Sequence, residues 1–292
     1  MKKISVLLLI LTLLLFSLGC NIDLESHRER RSFEKDYYLG SELDIATSAG
    51  DIVVDNWDKD YIKINAIIKG YAENQDKALE LVRNTKIDFS YFNKELKVRK
   101  NDQQASFNKN VTVEYRIMTP EEFSANLATS SGDVKIEKQV GDLEIATSSG
   151  EITIKDLNGD LNSNTSSGDL QVGDLKGALE HRSSSGDVEI DFLDGKVDIE
   201  TSSGDVEGIF DLGATSNRIN LSSGEAMVDL APDPSLELLL TTSSGDIDIT
   251  DINLDILKLS DEVVKGVIAS GDGQLEINTS SGDINLSERF RR

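Results

Sequence analysis

Eight carboxylates stand directly after a glycine in one recurring phrase, Ser-Ser-Gly-acid: Asp133, Glu151, Asp169, Asp187, Asp205, Glu225, Asp246 and Asp283. Three kinds of chemistry use such residues. A row of hard oxygens can hold calcium. Two carboxylates at a set separation can hydrolyse a glycosidic bond. A carboxylate at a tight corner can simply accept hydrogen bonds from backbone N–H groups. The spacing weighs among them. The calcium β-roll phrase is GGxGxDxUx, whereas here a single glycine precedes the acid directly. Glutamate at 151 and 225 also breaks the aspartate column. No two acids stand apart from the ladder as a catalytic pair would. The reading is therefore backbone capping, with a cation ladder on the same eight residues as its alternative.

Other reactive side chains are sparse. There are two histidines, His27 and His181. His27 lies in a charged N-terminal stretch, and His181 is read as a surface residue of a variant strand. The serines have no paired base, no G-x-S-x-G phrase occurs, and phosphate loops and dinucleotide fingerprints are missing. No catalytic residue, metal or cofactor is assigned, and the chain is read as not an enzyme. With 53 acidic and 30 basic side chains, a net of −23, nucleic acid is excluded as a partner for want of a basic patch.

The one cysteine, Cys20, ends MKKISVLLLILTLLLFSLGC. Two lysines, an apolar run of about 15 residues and a small residue before Cys20 form a secretory signal, short for a membrane span of ~20, with an ordinary cleaved signal or an uncleaved anchor as the alternatives to a lipoprotein. Leu18-Gly19-Cys20 resembles a bacterial lipoprotein signal, which implies cleavage before Cys20 and its acylation. The mature protein is then extracytoplasmic, anchored to the cell membrane or outer membrane.

The elements that position the acids follow from the repeat. The phrase glycines Gly132, Gly150, Gly168, Gly186 and Gly204 recur at one constant step, and Gly224, Gly245 and Gly282 continue at looser spacing. All eight are read as structural corners. Variants occur at Ser48-Ala49-Gly50-Asp51 and at Ser270-Gly271-Asp272. A second glycine falls midway, at Gly141, Gly159, Gly177, Gly195 and Gly213. Between corners the apolar residues alternate, as in Ile152/Ile154, Val188/Ile190 and Val197/Ile199, which is the period of a strand. Short strands at a fixed period predict an all-β fold, a parallel β-solenoid with ~18-residue coils of two short strands. The eight phrase coils imply a length of roughly 40 Å.

The expected organisation is a signal peptide (1–19), a charged tether (20–38), an N-terminal solenoid part (39–123), the regular repeat (124–288) and a frayed basic tail (289–292). The N-terminal part carries one short capping helix (about 74–85), read from ENQDKALELVRNT.

The order of these pieces resembles the DUF4097 family, bacterial β-solenoids labelled "putative adhesin". The matching pieces are SAGDIVVDNW (48–57), the helical insertion, VEYRIMTP (113–120), the TSSGD ladder, MVDLAPDPSLELLLTTSSGDI (227–247) and GDGQLEINTSSGDINL (271–286). The resemblance implies a surface or envelope protein and no catalytic residues. Adhesion or binding of an envelope or extracellular polymer or protein is the expected role. An envelope-stress regulator and a polysaccharide-active β-helix enzyme are the alternatives.

Overall fold

The computed structural model describes residues 27–38, 42–101 and 110–289. The expected signal peptide, Cys20 and residues 290–292 lie outside them. The chain runs β1 (His27–Tyr38), β2 (Glu42–Thr47), β3 (Ile52–Asn56), β4 (Tyr61–Ala72), helix α1 (Gln75–Asn84), β5 (Lys86–Phe92), β6 (Glu95–Asn101) and β7 (Val111–Thr119). The repeat follows as β8 (Ser124–Thr129), β9 (Val134–Val140), β10 (Leu143–Thr147), β11 (Ile152–Asn158), β12 (Leu161–Asn164), β13 (Leu170–Ser185), β14 (Val188–Ser203), β15 (Val206–Leu212), β16 (Ser216–Ser223) and β17 (Ala226–Leu230). The last part is β18 (Leu236–Thr242), β19 (Ile247–Thr250), β20 (Leu254–Leu259), β21 (Val263–Ile268), β22 (Gly273–Ser281) and β23 (Ile284–Glu288).

The fold is all-β and solenoid-like. In the repeat, strands pair in parallel with the strand one coil away. Leu170 opposes Val188, and Leu179 opposes Val197, each at the equivalent position of the next coil. Two stacked faces result. The first contains β2, β8, β10, β12, the second halves of β13 and β14, and β16. The second contains β3, β9, β11, the first halves of β13 and β14, β15 and β17. Side chains alternate in and out along each strand, so one inward position makes a column through the stack. Ile52, Val134, Ile152, Leu170, Val188, Val206, Ala226 and Ile284 form one such column, and all are buried. Each fully buried Val, Leu or Ile contributes about 1.5–3 kcal/mol, so the column is a continuous stabilising element.

Chain order and spatial order differ at both ends. The first coil, β2 and β3, lies between β6/β7 on one side and β8/β9 on the other. The last coil, β22 and β23, lies between β16/β17 and β18/β19. Both segments are thus bonded on two sides, where a terminal coil would otherwise fray. Beyond them the pairing turns antiparallel: β5 on β6, β4 on β7, β21 on β18 and β20 on β21.

Helix α1 matches its expected position. Asn74 caps it by accepting from the Lys77 N–H at 2.9 Å, and Ala78 and Val82 are buried, with Val82 joining the core. The tether expectation needs correction over 27–38, which forms β1, antiparallel to β4 along its whole length. The physical reason is that an edge strand is held by backbone hydrogen bonds and needs no apolar alternation. A charge-rich sequence is what protects such an edge. Arg289 is likewise no frayed end: its N–H donates to Leu230 O at 2.9 Å and its guanidinium pairs with Asp229 at 3.0 Å.

Candidate functional site: the corner ladders

The eight phrase acids come together in one row, preceded by Asp51. Their bonding follows spatial order. The Asp133 Oδ1 accepts from the Glu151 N–H at 3.1 Å, Asp169 from Asp187 at 2.9 Å, Asp187 from Asp205 at 2.9 Å, and Asp205 from Glu225 at 2.8 Å. Asp51 serves Asp133 at 3.1 Å, and Asp283 serves Asp246 at 2.8 Å. In these six contacts the aspartate is just long enough to reach the amide of the next coil. The two glutamates turn elsewhere: Glu151 accepts from the Thr153 hydroxyl at 2.8 Å and Glu225 from the Asn285 amide. Neighbouring carboxylates ~4.8 Å apart repel by about 1 kcal/mol in water. A hydrogen bond to a charged acceptor contributes about 1.5–3 kcal/mol, so capping outweighs repulsion. Among the described residues no group of three or more His, Cys, Asp or Glu side chains is placed to hold a metal ion.

The glycines beneath these acids are required by close approach. A Cβ on Gly168 would lie 2.0 Å from Gly150 O, and one on Gly204 would lie 2.1 Å from Gly186 O. The column runs through Gly50, Gly132, Gly150, Gly168, Gly186, Gly204, Gly224, Gly282 and Gly245, so the last two exchange order relative to the sequence. The midway glycines stack in the same way from Gly141 to Gly195, but a Cβ on Gly213 would meet nothing within 4 Å. The step from Gly204 to Gly224 is longer than the regular one, and the midway corner inside it does not stack on Gly195, although a Cβ on Gly273 would lie 2.5 Å from Gly213 O.

Three features escaped the sequence reading. A second aspartate ladder lies at the midway corner, where Asp142 caps the Asp160 N–H at 2.9 Å and Asp160 caps the Ala178 N–H at 2.8 Å. The threonine of the phrase faces inward, as buried Thr129, Thr165 and Thr242 donate to glycine carbonyls at 3.2, 3.0 and 3.0 Å. The third is His181, which corrects the surface reading. It is 1 % exposed, in a column whose neighbours are Ser163 and Ile199. Its Nδ1 lies 2.8 Å from the Ser163 hydroxyl, also fully buried. Its Nε2 is buried and meets no partner among the described residues. Burial pushes its pKa down to about 4, so the ring is neutral near pH 7. This Ser–His contact is closed to any substrate.

Among the exposed groups, Ser270 and Ser235 hydrogen-bond the Asp272 carboxylate at 2.7 and 2.9 Å and hold its pKa below the usual range. A depression of about 450 Å3 surrounds Gly173 on the second face, with Lys155, Gln171, Asp174, Glu189 and Asp191 at its rim. Charge is uneven along the chain. Residues 1–140 carry 22 acidic and 20 basic side chains, and residues 141–292 carry 31 and 10.

The family model described as Toastrack DUF4097 matches residues 40–287, from two residues before β2 into β23. The chain belongs to the DUF4097 family. No curated protein matches this DUF4097 chain. Solved structures that resemble it include a "putative lipid binding protein" from Parabacteroides distasonis, 15 % identical, with a TM-score of 0.47, covering 88 % of this chain and 96 % of that one. A "putative adhesin" from Bacteroides fragilis is 15 % identical, with a TM-score of 0.40 over 89 % and 97 %. Another, from Parabacteroides merdae, is 11 % identical, with a TM-score of 0.40 over 89 % and 96 %. Among the described residues no helix is long and apolar enough to cross a membrane.

Proposed function

We propose that this DUF4097 protein is a non-enzymatic lipoprotein of the bacterial envelope. Cys20, acylated after signal cleavage, anchors it on the outer side of the cell membrane or outer membrane. Its parallel β-solenoid of ~18-residue coils presents a rigid surface for adhesion or for binding an envelope or extracellular polymer or protein. The observation that carries this reading is the aspartate ladder. Asp133, Asp169, Asp187 and Asp205 are engaged with backbone amides of the next coil, which makes the repeat a scaffold element. The dense negative charge beyond residue 140 favours cationic partners over anionic lipid or nucleic acid.

The test has two arms. Cys20→Ser should abolish fatty-acid labelling and move the mature protein to the soluble fraction; a protein that stays membrane-bound after signal removal contradicts the anchor. Capture from intact envelopes should recover a salt-sensitive partner. Turnover of an acidic polysaccharide by the purified protein would contradict the non-enzymatic reading.

A further inference from the structure

The two ends of the first face differ from the rest of the surface. The outermost strand is β5 at one end and β20 at the other, and neither has a pairing strand on its outer side among the described residues. Six large hydrophobic side chains stand exposed among the described residues. Tyr91 and Phe92 are on β5. Ile256, Leu257 and Leu259 are on β20, and Leu239 is two strands inward from it. Phe92 is 74 % exposed and Leu259 68 %. Apolar groups on an unpaired strand edge mark a surface that pairs with another chain.

Charge and strand direction identify the occupant. The β5–β6 hairpin, residues 86–100, carries five basic and two acidic side chains, whereas residues 246–262 around β20 carry six acidic and one basic. Contact between like ends would set acids against acids or lysines against lysines; contact between unlike ends is complementary. β6 runs with the stack and β5 against it. β18 runs with the stack, β21 against it, and β20 with it again. Two copies stacked along one axis in the same orientation therefore bring β20 to β5 as an antiparallel pair. The two strands have six and seven residues.

We propose that this protein self-associates head to tail, β20 of one copy pairing antiparallel with β5 of the next. The contact is heterologous, so it continues into linear assemblies. The register irregularity between Ile256 and Lys258 keeps the paired run short. Anchoring to a membrane raises the local concentration at which it forms, although the contact itself does not depend on the anchor.

The test is sedimentation velocity of the full chain in mild detergent across the micromolar range. Wild-type protein should grow beyond a dimer with concentration, less so at high salt. Phe92→Glu blocks the basic end and Leu259→Lys the acidic end. Each variant alone should associate at least roughly tenfold more weakly, since each sets a repelling charge in the contact. An equimolar mixture should form dimers again, because one intact end remains on each copy. Both positions are exposed, so melting temperatures should be unchanged. If either variant fails to fold, Tyr91→Glu and Leu257→Lys replace them. A wild type that stays monomeric, a blocked variant that still dimerises alone, or a mixture without dimers overturns the proposal.

Discussion

Acidification should destabilise this protein through one side chain, His181. Its pKa is about 4 in the folded state and ~6.5 when the chain is unfolded. The unfolded state therefore takes up a proton as pH falls through ~6.5, while the buried ring stays neutral until about 4. Stability is fully present above ~6.5 and is lost progressively down to about 4. A difference of ~2.5 units at ~1.4 kcal/mol each amounts to about 3.5 kcal/mol, a substantial share of a typical domain's stability. Other titrations act in the same range, notably relief of the acidic self-repulsion, so the measurement must isolate the histidine. The comparison is with Ser163→Ala/His181→Ile, which removes both buried polar groups and continues the column of Ile145 and Ile199. Removing both partners avoids stranding a buried hydroxyl. Urea unfolding at steps from pH 7.5 to 4.5 should show wild type losing about 2.5 kcal/mol more than the double variant. Parallel pH profiles, or an imidazole that titrates near 6.5 in the folded state by NMR, would refute the reasoning.

The corner columns give further expectations. Gly168→Ala should cost about 3 kcal/mol or more in urea unfolding, because its Cβ would overlap Gly150 O. Gly213→Ala should be near neutral, since a Cβ there would meet nothing within 4 Å. Asp187→Ala should lower stability by about 1 kcal/mol by uncapping the Asp205 N–H, and Asp187→Asn should lose less because it keeps an acceptor. Millimolar calcium should leave the wild-type melting temperature unchanged; a rise of many degrees would restore the cation ladder. Val188→Asp places a charge in the buried column and should cost several kcal/mol, read as loss of the cooperative melt.

The stack was legible where the sequence repeats at fixed spacing. Gly150 and Gly168 are one repeat apart in sequence and stack one coil apart, and the alternation of Ile152 and Ile154 correctly places both inside. The ends were not legible. The phrase at Gly282 follows Gly245 in the chain but precedes it in space. Local sequence fixes which face a residue takes, not which coil fills a gap between two others. β1 was missed because an edge strand leaves no apolar signature.

His181 is the more instructive miss. Its neighbours in the column are Ser163 and Ile199, at the equivalent positions of the coils before and after, and Leu179 on the same side of its own strand is buried. The period alone places it inside. A lone histidine tends to lie at the surface, but the parity of its own strand points the other way. In a stack whose register is set by backbone contact at every glycine corner, parity is the stronger constraint. A one-residue slip would expose the whole inward set, so the coil keeps its register and holds a polar pair inside. That same constraint fits the row of acids outside. The corners that hold His181 in also hold each aspartate one coil from the amide it caps, which makes the ladder a consequence of register.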